Sequence, residues 1–241
     1  MIEIKNVSKT YDKKVKAVDD LSITFKNGEI IGFIGANGAG KTTTLKMICG
    51  IINPDCGSIE INGHDIQKEP LAAKREFGFV PDNPDVFLRL KGIEYLNFLA
   101  DIYQVDSELR LQRIQKLSQQ FSMDTALNDK IISYSHGMRQ KIVIIGALIH
   151  DPNIWILDEP LTGLDPQSSF TLKQMMKEHS QADKTVLFST HVLDVAEKLC
   201  DKVAIIDHGS LLFYGSLNQL QKQYSTAQSL EEIFLQVVSH G

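Results

Sequence analysis

Apolar and polar residues alternate over positions 2–7 and 58–63, the period of strands with one buried face. The second run ends in Asn62-Gly63, a tight-turn signal. A short strand is expected at 21–25, a turn at Asn27-Gly28, and a wholly buried strand at 30–34. A helix at 43–49 follows and stops near Gly50. Another buried strand, 77–80, ends at Pro81. The pattern then changes. Ile93, Leu96, Leu99 and Tyr103 recur at helical spacing, as do Leu111, Ile114, Leu117 and Phe121 after an expected cap at Ser107. Residues 88–145 therefore read as a helical insertion. Beyond it, strands at 154–157, 186–189 and 203–206 alternate with helices at 166–179 and 192–199. That alternation predicts an α/β fold with a mostly parallel central sheet covered on both faces. A last helix at 229–238 opens with Ser229 and Glu232 spaced as a capping box. No repeat or low-complexity stretch interrupts the chain.

A chain of 241 residues suits one large domain or a domain with a subdomain. Its net charge of −5 argues against a general nucleic-acid binder, whose surface is basic. Cys49, Cys56 and Cys200 are odd in number and lack metal-ligand spacing, so they read as reduced, structural cysteines of a cytosolic protein. The first residues already read as a strand, so no secretory leader is expected. The most apolar run, 142–149, falls far short of the ~20 residues that span a bilayer.

Between the strand at 30–34 and the helix after it lie Gly35, Ala36, Asn37, Gly38, Ala39, Gly40, Lys41, Thr42 and Thr43. They match G-x-x-x-x-G-K-[ST], the phosphate-binding loop, in its required strand–loop–helix context. The glycines let consecutive backbone N–H groups surround one concavity. Those donors and Lys41 can hold a triphosphate, the Thr42 hydroxyl can ligate Mg²⁺, and the helix N-terminus favours the anion. A glycine-rich turn is the bland alternative, and the flanking elements argue against it.

The strand at 154–157 ends in Asp158-Glu159. Ligands of open parallel sheets sit beyond the carboxyl ends of the strands, so Asp158 is expected near the mouth of the phosphate loop. There it can hold Mg²⁺ directly or through water, leaving Glu159 to polarise the water that attacks the γ-phosphate. Alone, the pair would read as solvated acids capping a strand. The phosphate loop upstream favours the metal-and-base reading.

With these motifs in this order, the chain resembles the nucleotide-binding subunit of an ATP-binding-cassette (ABC) transporter over nearly its whole length. The resemblance implies a P-loop NTPase core, an N-terminal antiparallel β-subdomain and an inserted α-helical subdomain. As a single domain of 241 residues it divides into core at 1–87 and 146–220, helical subdomain at 88–145, and C-terminal helix at 221–241. Tyr11 stands where the family stacks an aromatic on adenine. Residues 133–141, Ser-Tyr-Ser-His-Gly-Met-Arg-Gln-Lys, resemble the family signature. That likeness implies that Ser135, His136 and Gly137 contact ATP bound by the opposite subunit. Asp165, in Leu-Thr-Gly-Leu-Asp-Pro, falls in the loop that lines the dimer interface. His191, after Phe-Ser-Thr, falls where the family contacts the γ-phosphate and holds water and Glu159 in line. Lys41, Glu159 and His191 are thus the catalytic set, and Thr42, Asp158 and Asp82 the metal set. His64, His150, His179, His208 and His240 read as surface or structural.

The chain departs from the family pattern at Asp82, where Gln is usual, and at His136 and Met138 in the signature. The form Tyr-Ser-x-Gly-Met with Gly-Leu-Asp-Pro looks like the branch whose ATPases serve separate membrane permeases, often exporters. The implied cofactors are ATP and Mg²⁺. The implied partners are a membrane permease and a second ATP-binding subunit, as homodimer or heterodimer, with no nucleic acid. The implied location is cytoplasmic, held peripherally at the inner membrane face through the permease. A competing class is a non-transport ATPase switch on DNA or the ribosome, which usually carries a long coiled-coil insertion or two cassettes per chain. A third is a small-molecule kinase, which has no need of the carboxylate, histidine and signature set.

Overall fold

The computed structural model describes residues 1–12, 15–224 and 229–240. Strand β1 (Ile2–Tyr11) pairs antiparallel with β2 (Val15–Phe25). The expected strand at 21–25 is only the end of β2. Register shifts along the pair, with Asn6 at φ 49° and Asp20 at φ 48°, break the alternation that would have revealed the rest. Strand β3 (Ile30–Ile34) feeds the phosphate loop and α1 (Lys41–Ile48). Strands β4 (Cys56–Ile61) and β5 (His64–Asp65) extend the first sheet to the order β2-β1-β4-β5, the expected antiparallel subdomain. A short helix not expected from the sequence, α2 (Pro70–Arg75), starts with proline and leads into β6 (Phe77–Val80).

The insertion contains α3 (Gly92–Ile102), α4 (Ser107–Gln120) and α5 (His136–Leu148). The cap of α4 is Asp106 rather than Ser107: its carboxylate accepts from the Glu108 and Leu109 amides at 2.9 and 3.4 Å. Either residue type can cap, and here the carboxylate one position earlier does so.

The chain continues through β7 (Ile154–Leu157), α6 (Pro166–Gln181), β8 (Thr185–Thr190), α7 (Leu193–Leu199) and β9 (Lys202–Asp207). It then adds β10 (Ser210–Ser216), α8 (Leu217–Gln223) and α9 (Leu230–His240). The central sheet runs β10-β9-β3-β8-β7-β6, parallel except for β10. Strand β10 was not expected. Its turn, His208-Gly209, has φ 45° and 82°, the two left-handed residues of a hairpin turn, and that dipeptide was its sequence signal. At α9, the Ser229 hydroxyl accepts from the Glu232 amide at 3.3 Å, one half of the expected capping box. Residues 225–228, Gly241 and the side chain of His240 lie outside the described residues.

Each central strand sends alternate residues to opposite faces. Ile31, Phe33, Ile154, Ile156 and Leu187 pack with α1 and the antiparallel sheet. Ile30, Ile34, Trp155, Leu157, Val186 and Phe188 pack with the insertion, α6 and α7. Covering on both faces explains why β3, β7 and β8 are buried at every position. It also leaves their carboxyl ends side by side at one edge of the core.

Candidate functional site

The phosphate loop leaves β3 and is clamped by its neighbours. A Cβ at Gly35 would lie 2.6 Å from the Ile206 carbonyl oxygen. Gly40 sits at φ 106°, where a Cβ would lie 2.3 Å from the Ala17 carbonyl oxygen. Conformation and space both demand glycine there. The Gly209 amide donates to the Ala39 carbonyl at 2.9 Å, tying the loop to the β9–β10 turn. Gly40 caps α1 without any side-chain bond, so no side chain competes for the first amides of that helix. Lys41 is buried, and its ammonium donates to the Gly35 and Ala36 carbonyls at 2.7 and 3.2 Å. The loop forms one wall of a cavity of about 320 Å³, closed by Ala17, Asp82, Glu159, Thr162 and His191.

The acids stand where β7 ends. Asp158 is buried, and the Ser189 hydroxyl on β8 donates to its carboxylate at 2.6 Å. The same hydroxyl accepts from the Glu159 amide at 2.9 Å, so one serine fixes both acids. Burial pushes the Asp158 carboxyl up, opposed by hydrogen bonds from Ser189 and Thr42 and assisted by the charges of Asp82 and Glu159. Glu159 occupies φ 47°, a left-handed conformation costing a non-glycine residue about 1–3 kcal/mol. Its carboxylate lies 3.0 Å from His191 Nδ1 and 3.6 Å from Lys41 Nζ. The Thr190 hydroxyl accepts from the Val192 amide at 3.0 Å and turns the chain so that His191 faces Glu159. Lys41, Glu159 and His191 thus form one line across the cavity.

The donor set fits Mg²⁺. Thr42 is hydrogen-bonded to Asp158, and Asp82 lines the same cavity, so only hard oxygen ligands are offered and few enough to leave room for water and phosphate.

The other expected contacts lie elsewhere. Ser135 caps α5, its hydroxyl accepting from the Met138 amide at 3.2 Å. His136 is exposed and covers Gly163, where a Cβ would lie 2.3 Å from its ring. A Cβ at Gly137 would lie 2.9 Å from the Gly163 carbonyl oxygen, so the start of α5 packs tightly on the loop before α6. Asp165 caps α6, accepting from the Ser168 amide at 2.9 Å and the Ser168 hydroxyl at 2.6 Å. These bonds, with Lys141 at 3.0 Å, hold its carboxyl well below the usual range. Ser135, His136, Gly137 and Asp165 are all absent from the wall of the phosphate cavity. Tyr11, at the end of β1, is 41% exposed and also stands outside that wall.

Sequence reasoning missed Ser189 and Thr162. Ser189 is wholly buried near the end of β8, and a buried hydroxyl needs a partner. Leu157 pairs with Phe188, so register puts Ser189 beside Asp158, and only the sheet order reveals that.

A family model described as ABC transporter matches residues 18–162. The chain is 36% identical to the ABC transporter ATP-binding protein NatA of Bacillus subtilis (strain 168), across 100% of this chain and 99% of that protein. A solved ATP-binding subunit of an ABC transporter matches with TM-score 0.94 and 31% identity over 99% of both chains. A dimeric ATP-binding cassette in a post-hydrolysis state with ADP and Pi matches with TM-score 0.81 and 25% identity, over 90% of this chain and 99% of that one. With the phosphate loop, the paired acids and His191 assembled at one edge of such a sheet, the chain belongs to the ABC transporter family, as an ATP-binding subunit that hydrolyses ATP.

Proposed function

We propose that this subunit powers export through a separate membrane permease, closing head to tail with a second ATP-binding subunit around two ATP molecules. The observation that carries the proposal is the division of the site. Lys41, Glu159 and His191 share one cavity, while Ser135, His136 and Gly137 open α5 on a surface that the same cavity does not reach. The start of α5 is a second anion-favouring helix terminus, and it suits the γ-phosphate held by a partner. Asp165 and Thr162 lie on the loop beside it and suit the interface, and Tyr11 offers an exposed ring to adenine.

In hydrolysis Lys41 and the loop amides position the triphosphate. Glu159 takes the proton of the attacking water, and His191 holds Glu159 and faces the γ-phosphate. Thr42 and Asp158, with Asp82 at hand, would hold Mg²⁺, which would supply charge neutralisation on the phosphates. ATP favours the closed pair because only that state offers both sets of donors. Loss of the γ-phosphate removes the bridge. Phosphoryl transfer needs this positioning and charge stabilisation more than covalent help. The form of the signature, Tyr134-Ser135-His136-Gly137-Met138, supports the export branch. A largely apolar groove lined by Phe87, Leu88, Arg89, Leu90 and Phe98 suits the permease. Phe87 there is half exposed and held at φ 46°. No helix of the described residues is long and apolar enough to cross a membrane, which leaves peripheral attachment to the permease at the cytoplasmic face as the proposed location.

The test is Glu159→Gln. It is expected to keep Mg-ATP binding, cut phosphate release at least about 100-fold and accumulate ATP-dependent dimers in size-exclusion chromatography. Unchanged turnover would remove Glu159 as the base. Affinity purification from membranes is expected to bring a polytopic protein, and recovery of nucleic acid in its place would overturn the transport role.

A further inference from the structure

Consecutive residues of α5 fasten that helix to two segments that reach the phosphate cavity. The Arg139 guanidinium donates to the Asp85 carboxylate at 2.7 Å and to the Ile132 carbonyl at 2.9 Å. Gln140 is buried and donates to the Pro160 carbonyl at 3.3 Å, one residue after Glu159. Lys141 lies 3.0 Å from Asp165. Gln140 and Lys141 thus grip the loop that leaves Glu159. Arg139 grips a different segment, the turn that begins at Asp82.

That turn is stiff. The Asn83 side-chain oxygen accepts from the Asp85 amide at 2.9 Å, and the Val86 amide donates to the Pro84 carbonyl at 2.8 Å. Pro84 is buried, fixes its own φ and restricts Asn83 before it. Asp82 at one end lines the phosphate cavity, and Asp85 at the other holds Arg139. Arg139 stands one helical turn beyond the cap of α5, its amide donating to the Ser135 carbonyl at 2.9 Å. One stiff turn and one helical turn therefore separate the cavity from Ser135, joined by a single ion pair. The fork of the guanidinium also takes the Ile132 carbonyl just before α5, so it fixes direction as well as distance. Among the described residues neither Arg139 nor Asp85 has another ion-pair partner.

We propose that Arg139 is a positioning residue for the reaction. Its ion pair with Asp85 ties the orientation of Ser135 to the Asp82 turn, so a nucleotide seated against Asp82 aligns α5 for the ATP of the partner subunit. This role rests on the head-to-tail closure proposed above. Without the pair, α5 keeps its Ser135 cap and its bonds to Pro160 and Asp165, so the helix persists with a less defined direction.

The test is a charge swap in the full chain. Asp85→Arg and Arg139→Glu each set like charges together, and the double variant restores an opposite pair. Turnover is measured at saturating Mg-ATP. Dimer strength is measured by ultracentrifugation with the Glu159→Gln change added. Each single variant is expected to lower turnover and weaken the ATP-dependent dimer at least about threefold, while circular dichroism is unchanged and monomer affinity for Mg-ATP does not fall. The double variant should recover to within about twofold of the parent, because the two effects are not independent. Asp85→Asn is nearly isosteric and should act in the same direction by about twofold, which keeps the test decisive if charge reversal disturbs the fold. Single variants equal to the parent would overturn the proposal, as would a double variant no better than the worse single. Monomer affinity falling in step with turnover would also overturn it. If Glu159→Gln by itself forms no ATP-dependent dimer, head-to-tail closure fails and the role of Arg139 fails with it. Dimers of equal strength in every variant would remove the role of Arg139 alone.

Discussion

Two helix starts in this molecule are built differently. Helix α1 begins at Gly40, left-handed and without a side-chain cap, and around it converge Lys41, Thr42, Asp158, Glu159 and His191. Helix α5 begins at Ser135, whose hydroxyl already satisfies the Met138 amide, and its other neighbour is the loop at Gly163. The first is an anion site finished within one chain. The second is an anion-favouring terminus on the surface, away from Lys41, Glu159 and His191. The contrast teaches that one helix start is built into a cavity within the chain, while the other is left on its surface.

The largest way to break that contrast is Lys41→Ala. It removes the buried ammonium that the loop carbonyls and Glu159 share, and Mg-ATP affinity is expected to fall at least about 100-fold by calorimetry. Retained affinity would mean that the loop amides suffice. Next comes Ser135→Ala. If α5 serves only the partner's ATP, turnover should fall by about 10²-fold while monomer nucleotide affinity stays put. Parallel loss of both would place Ser135 in its own chain's site. A smaller effect is expected of Ser189→Ala, which removes the hydroxyl bond from β8 to Asp158 and frees the Glu159 amide. Losing those bonds is worth about 1–3 kcal/mol, or roughly a tenfold drop in turnover, with threonine restoring most of it. A pH–rate profile should show the acidic limb moving upward in the alanine variant, because Asp158 loses a bond that favours its ionised form.

The smallest effect sharpens the comparison by leaving catalysis aside. His150 stacks on Tyr103 with ring centroids 3.6 Å apart, and its Nε2 lies 3.1 Å from the Phe77 carbonyl, which fixes that nitrogen as the protonated one of a neutral ring. Burial lowers its pKa from 6.5 to about 4. The unfolded chain therefore takes up a proton near pH 6.5 that the fold refuses until about pH 4, so stability is full above the first value and falls toward the second. His179 acts in the same direction. In urea unfolding across that window, His150→Phe is expected to remove on the order of 3 kcal/mol of the pH dependence. An identical slope in both proteins would show that His150 is not the linked group.

Much of this was legible before any coordinates. Strands 30–34, 77–80 and 154–157 coincide with β3, β6 and β7, because strands buried on both faces are short apolar runs bounded by Gly, Pro or acids. The loop from Gly35 to Thr43 was legible because its chemistry is carried by consecutive residues. Less was visible where neighbours decide. The first half of β2 is stabilised by pairing with β1 across bulges, and its own alternation is broken. Strand β10 is half-buried along most of its length and owes its place to β9.

Sequence alone determined which side chains could bind a phosphate or move a proton, since G-x-x-x-x-G-K-T and Asp-Glu at a strand end are local patterns with local chemistry. Tertiary structure decided which of them meet. Sheet order brought β7 and β8 together, so Ser189 could hold both acids and His191 could reach Glu159 from 32 residues away in the chain. It also set Ser135 apart from the cavity. The physical reason is that hydrogen bonds and ion pairs act over about 3–4 Å, and only the packing of distant segments sets separations on that scale.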